Sequence, residues 1–127
     1  MSSITIAYQK TVSHLTKRLI EDLGDKVESI VLYGSVARNE AREDSDIDVL
    51  VVTRDDDRKL YDRISKIRTR IDLSNNTLTT LVQISRKELE QHMKLGSPFM
   101  KSVVKEGVIL YDSGFLKKIR GSLVFKG

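Results

Sequence analysis

Two carboxylates, Asp46 and Asp48, flank Ile47 at the start of the apolar run Val49-Leu50-Val51-Val52. On a strand, residues two apart project from the same face, so both acids point one way while Ile47 points the other. Paired acids repel, and a divalent cation relieves that repulsion most directly; hard carboxylate oxygens suit Mg²⁺ or Mn²⁺. A solvated strand start carrying two incidental acids is the plainer reading of such a pair taken alone. Upstream, Gly34 and Ser35 end another apolar run, Ile30 to Tyr33. A glycine there lets backbone N–H groups approach a phosphate, the following helix offers its N-terminus to an anion, and the Ser35 hydroxyl can donate to the same group. Alone, Gly-Ser is equally an ordinary strand-to-helix turn.

The elements that must position these residues follow from periodicity. Tyr8, Val12, Leu15, Leu19 and Leu23 recur at helical spacing, and Gly24 ends that helix. Val27 to Tyr33 is a buried strand, and Ser35 to Ala41 a short helix with Ser35 as its N-cap. A second strand runs from Asp46 to Val52. Leu60, Ile64, Ile67 and Ile71 mark a long helix that fades near Ser74 to Asn76. The acidic run Asp55 to Asp57 reads as the start of that helix, where carboxylates suit the positive end of the dipole.

Thr77 to Ile84 is a third strand, and Ser85 with Glu88 reads as a capping box opening a helix to about Leu95. Ser97-Pro98 starts another helix through Glu106, Val108 to Tyr111 is a final short strand, and a last helical turn or two lies around Phe115 to Ile119. Lys117, Lys118, Arg120 and Lys126 make the tail basic. The expected architecture is α/β (α+β): a small mixed sheet of about four strands with helices mainly on one face. Spacing leaves the first two strands free to pair parallel or antiparallel.

Gly34-Ser35, ten intervening residues and then Asp46-x-Asp48 resemble the signature of the DNA polymerase β-like nucleotidyltransferase superfamily. Ala37-Arg38, Ala41-Arg42 and Ser45-Asp46-Ile47-Asp48 are similar to the pattern of its minimal, stand-alone members. The resemblance implies a polymerase β-like fold in which Gly34 and Ser35 hold a nucleotide triphosphate and Asp46 and Asp48 ligate catalytic Mg²⁺. Arg38 and Arg42 are candidates to neutralise phosphate charge; Arg42 reads equally as a surface ion pair with Glu43 or Asp44. The implied reaction moves a nucleoside monophosphate from an NTP, ATP foremost, to a hydroxyl and releases pyrophosphate. Minimal members often act beside a HEPN-domain protein as antitoxin and toxin, which makes a HEPN protein the expected partner.

One feature departs from the pattern. Active members place a third carboxylate on the strand after the long helix, but Thr77 to Ile84 carries only Thr77, Thr79, Thr80 and Gln83 as polar residues, all poor metal ligands and bases. Asp72 and Glu88 flank that strand as minor substitutes. A nucleotide-binding or interaction module with impaired turnover is therefore the alternative. Tyr33 reads either as a contact for the base or as a core or rim aromatic, and His14 and His92 read as structural.

Composition narrows the rest. The chain has 127 residues, no cysteine and a formal charge of +4, which excludes disulfide scaffolds and thiol chemistry and favours anionic partners weakly. One domain over residues 1–127 is expected, with room for a nucleotide-binding core and an acceptor held by another chain. No membrane span or leader is evident, so a cytoplasmic location is expected. Exposed sheet edges leave a homodimer open. No aromatic residues interleave with a basic stretch, which argues against direct nucleic-acid binding.

Overall fold

The computed structural model describes residues 3–42 and 45–125. Glu43, Asp44 and Lys126 lie outside them, and so does the expected pairing of Arg42 with Glu43 or Asp44. The chain runs α1 (Ser3–Leu23), a 3₁₀ turn (Gly24–Lys26), β1 (Val27–Tyr33), α2 (Gly34–Ala37), β2 (Ile47–Thr53), α3 (Arg58–Asn75), β3 (Thr79–Ser85), α4 (Arg86–Lys94), α5 (Pro98–Glu106), β4 (Val108–Asp112) and α6 (Phe115–Phe125).

The four strands form one mixed sheet in the order β3-β2-β1-β4. β1 pairs antiparallel with β2 and with β4, while β2 and β3 are parallel. The short α2 connection thus makes a return rather than a crossover, whereas α3 provides the long connection that parallel pairing requires. The central strands are buried on both faces, which explains why their sequences are continuous apolar runs rather than alternating ones.

Alternation along those strands divides the core into two layers. Ile30, Leu32, Val49 and Val51 pack with Leu15 and Leu19 of α1 and with Leu60 and Ile64 of α3. Val31, Leu50, Val52 and Ile84 face the other way, against Leu89, Val103, Val104 and Leu116 of α4, α5 and α6. Helices therefore cover both faces, not mainly one. α4, α5 and α6 follow β3 and have enough apolar positions for a second layer, and each fully buried Leu or Ile contributes about 1.5–3 kcal/mol. Gly107 allows α5 to enter β4 closely, because a Cβ there would lie 2.4 Å from Val31 Cγ1.

Local signals fix the helix ends. Asp57 caps α3 by accepting from Lys59 N, Ser85 and Glu88 form the reciprocal capping box of α4, and Ser97 caps α5 with Pro98 in its first turn. α2 departs from expectation. It stops at Ala37, since Asn39 adopts a left-handed φ of 57°. Tyr33, not Ser35, occupies the N-cap position, and no side chain caps the helix there. α6 is longer than the expected turn or two, its first turn capped by Asp112 accepting from Leu116 N and Lys117 N. Among the described residues, no helix is long and apolar enough to cross a membrane.

Candidate active site at the end of β1

Gly34, Asp46 and Asp48 meet where β1 ends and β2 begins. Tyr33 is the register partner of Asp48 across the antiparallel ladder, and Asp48 is in turn the partner of Thr80 across the parallel one. Because Ile47 and Val49 belong to the α1/α3 layer, Asp48 projects from the opposite face, as do Tyr33 and Val82. Asp46 lies two residues earlier on that face. Its Oδ2 accepts a hydrogen bond from Thr80 Oγ1 at 3.1 Å.

Gly34 closes this arrangement from β1. Its φ is +75°, and a Cβ built on it would stand 2.2 Å from Asp48 Oδ2. Only glycine tolerates both the backbone conformation and the approach of the carboxylate. Ser35 follows in the first turn of α2, half-buried, with its hydroxyl unpaired among the described residues. Backbone N–H groups in a helix's first turn lack intrahelical acceptors, so this segment presents donors beside two acids.

Electrostatics within the cluster are uneven. The Asp48 carboxyl is raised above its usual range, first by burial and then by the neighbouring Asp46 charge, with Arg38 working in the opposite direction. Burial, followed by the Asp48 charge, likewise raises the Tyr33 hydroxyl. Arg38 is exposed and forms an ion pair with Glu40 at 3.1 Å. Arg42 is held through its backbone, whose carbonyl accepts from the Tyr8 hydroxyl at 2.6 Å and whose N–H donates to Ser45 Oγ at 2.7 Å. Its exposed guanidinium has no ion pair among the described residues.

The two acids considered as substitutes are engaged elsewhere. Asp72 is buried and accepts from Thr77 Oγ1, Thr79 N and Thr79 Oγ1, tying the end of α3 to the start of β3. Glu88 is the reciprocal member of the α4 capping box. His14 and His92 are both exposed, on α1 and α4. Asp46 and Asp48 remain a suitable pair of hard-oxygen donors, and the charge repulsion between them is what a divalent cation would relieve.

A model of the nucleotidyltransferase domain matches residues 13–111, a span that includes β1, α2, β2 and β3. The chain belongs to the nucleotidyltransferase domain family. Within that family it is similar to a Methanocaldococcus jannaschii protein named as a protein adenylyltransferase, with 36% identity over 84 residues, covering 66% of this chain and 76% of the relative. The fold is similar to that of a toxin–antitoxin crystal structure with AMP-PNP, at 18% identity and a TM-score of 0.55, covering 88% of this chain and 83% of the other. It is also similar to a chain in the complex of a tri-AMPylated Shewanella oneidensis HEPN toxin with its MNT antitoxin, at 16% identity and a TM-score of 0.54, covering 94% and 84%.

Thr80 and Phe99 had no assigned role in the sequence. Thr80 became relevant through the parallel register, which no local pattern encodes. Phe99 follows Ser97-Pro98 at the start of α5 and remains exposed, yet its ring meets Tyr33. An apolar residue on the outside of a helix start was the available signal.

Proposed function

We propose that this nucleotidyltransferase domain transfers AMP from ATP to a hydroxyl on a partner protein, with a HEPN-domain protein as that partner. The observation that carries the reading is Gly34 packed directly against Asp48, with Ser35 next in the chain and Asp46 on the face of Asp48. Phosphate donors and cation ligands thereby share one small site. The adenylyltransferase name of a relative and the AMPylated HEPN complex among structural neighbours support the choice of AMP and partner.

In this reading, Gly34 allows the triphosphate to approach the backbone and Ser35 donates its hydroxyl hydrogen to a phosphate oxygen. Arg38 lies close enough to Asp48 to influence its charge, and its guanidinium offsets negative charge on the phosphates. Arg42 does the same from the following loop. Asp46 and Asp48 would hold Mg²⁺, with Mn²⁺ as a substitute, and Thr80 orients Asp46. Bound there, a divalent cation supplies charge stabilisation to the oxygens of an in-line displacement.

The acceptor oxygen bonds to the α-phosphorus as the bond from that phosphorus to the bridging oxygen of the β-phosphate breaks. Pyrophosphate leaves with that bond's electron pair. The acceptor proton passes to a base, and the site offers Asp46 and Asp48 or a group brought by the partner. Intact-mass spectrometry of a HEPN partner incubated with the full chain, ATP and Mg²⁺ tests this. Addition of AMP, abolished by Asp46→Asn, is expected; unmodified partner under conditions where ATP is bound contradicts it.

Thr80 at the β3 register position favours a second reading, a domain that binds nucleotide with impaired turnover. Calorimetric titration would then show MgATP binding weakened by Ser35→Ala and Asp48→Ala while transfer stays absent.

A further inference from the structure

Phe99 lies in the first turn of α5, 45% exposed. Its ring meets Tyr33 edge-to-face, with centroids 5.6 Å apart and planes at 77°. The helix start that carries the ring is fixed in place. Ser97 caps the helix by accepting from Met100 N, Pro98 sets the entry angle, and Met100, Val103 and Val104 anchor α5 in the core. Tyr33 is half-buried, precedes Gly34 and is the register partner of Asp48. An aromatic surface on an anchored helix thus stands one side chain away from the carboxylate, on the same face of the sheet.

We propose that Phe99, seated on Tyr33, is the platform on which the base of the bound nucleotide stacks. The inference rests on the nucleotide reading above and adds to it a base-binding subsite. A nucleobase presents a flat π-face that an aromatic side chain can cover without a hydrogen bond. The phenyl ring carries no donor or acceptor, so it contributes affinity for a base without choosing adenine over guanine by hydrogen bonding. The edge-to-face contact with Tyr33 seats the ring beside the site, and its 45% exposure leaves aromatic surface open to a base.

Calorimetric titrations of the full chain with ATP, GTP and inorganic tripolyphosphate, each with Mg²⁺, test the proposal. Phe99→Ala and the bulkier, non-aromatic Phe99→Leu should each weaken ATP and GTP about 5- to 150-fold, the range set by stacking of one base. Tripolyphosphate affinity should stay within about twofold, and Phe99→Trp should retain ATP affinity. Thermal melts of each variant report folding, and Phe99→Leu keeps the test open should the alanine variant unfold. Equal loss of ATP and tripolyphosphate would overturn the proposal, as would unchanged ATP affinity in a folded leucine variant. Unchanged ATP affinity with a raised KM for the acceptor would overturn it too, assigning the ring to the partner protein. Wild-type chain that binds neither ATP nor tripolyphosphate would instead defeat the nucleotide reading itself, and this inference with it.

Discussion

Thr80 donates its hydroxyl hydrogen to Asp46 Oδ2 at 3.1 Å, while its backbone partner across the parallel ladder is Asp48. One neutral side chain therefore touches one acid and is aligned with the other. Thr80→Asp would put a third carboxylate on this face, able to ligate a cation and to take a proton. We expect it to raise the rate of transfer by at least ~10-fold, a part of the ~10²–10⁴-fold that a well-placed general base supplies. Thr80→Val, which frees Asp46 from its donor, should lower the rate. Steady-state rates at several Mg²⁺ concentrations check both, and a slower Thr80→Asp enzyme would show that the threonine is the better group here.

Gly34→Ala should damage both fold and site. The added methyl meets only Asp48 side-chain atoms within the closest 3.3 Å, and the left-handed φ adds strain of about 1–2 kcal/mol. Chemical denaturation should show that loss or more, with ATP affinity down at least ~10-fold. Adding Asp48→Ala removes the carboxylate that the methyl strikes, so the double variant should recover part of the stability but none of the binding. Full additivity of the two losses would contradict the steric account.

Asp72 tests the distinction between a structural acid and one belonging to the site. Asp72→Ala leaves Thr79 N–H and two threonine hydroxyls without their acceptor, a loss expected to cost about 3 kcal/mol. Urea unfolding should show it. At a temperature where the variant stays folded, ATP affinity should remain within about twofold of wild type. Loss of affinity without loss of stability would move Asp72 into the site.

Asp112 should make stability depend on pH at the acid end. Burial is the largest single influence and raises its carboxyl, but hydrogen bonds from Ser29 and from the Leu116, Lys117 and Gly114 backbone together outweigh it and hold the carboxyl below its ordinary range. A depressed folded value means the contribution is fully present above the unfolded value and is lost as pH falls through the folded one. Melting temperatures of wild type and Asp112→Asn should therefore differ by a constant amount above about pH 5 and converge below about pH 4. A difference that grows on acidification would refute the assignment.

The elements were legible in the sequence because their signals are local. Leu60, Ile64 and Ile67 fall on one face of α3, Ser85 and Glu88 form their capping box, and the apolar runs became β1 and β2. The motif also brought Gly34, Asp46 and Asp48 together as expected. Most of what was not legible depends on distant pairing, the early end of α2 being the local exception. Helices on both faces follow from how the alternating residues of β1 and β2 divide between two layers. The early end of α2 follows from the left-handed turn at Asn39. The Thr80–Asp46 and Phe99–Tyr33 contacts join segments more than 30 residues apart, a separation that periodicity does not span.

In the proposed transfer the bond broken in ATP lies between the α-phosphorus and the bridging oxygen to the β-phosphate. Parallel incubations of the full chain and a HEPN partner with ATP labelled at the α- or at the γ-phosphate decide it. Label is expected on the partner from α-labelled ATP alone, lost with Asp46→Asn and with Asp48→Asn. Label transferred from the γ-phosphate, or α-label transfer undiminished in both variants, would contradict it.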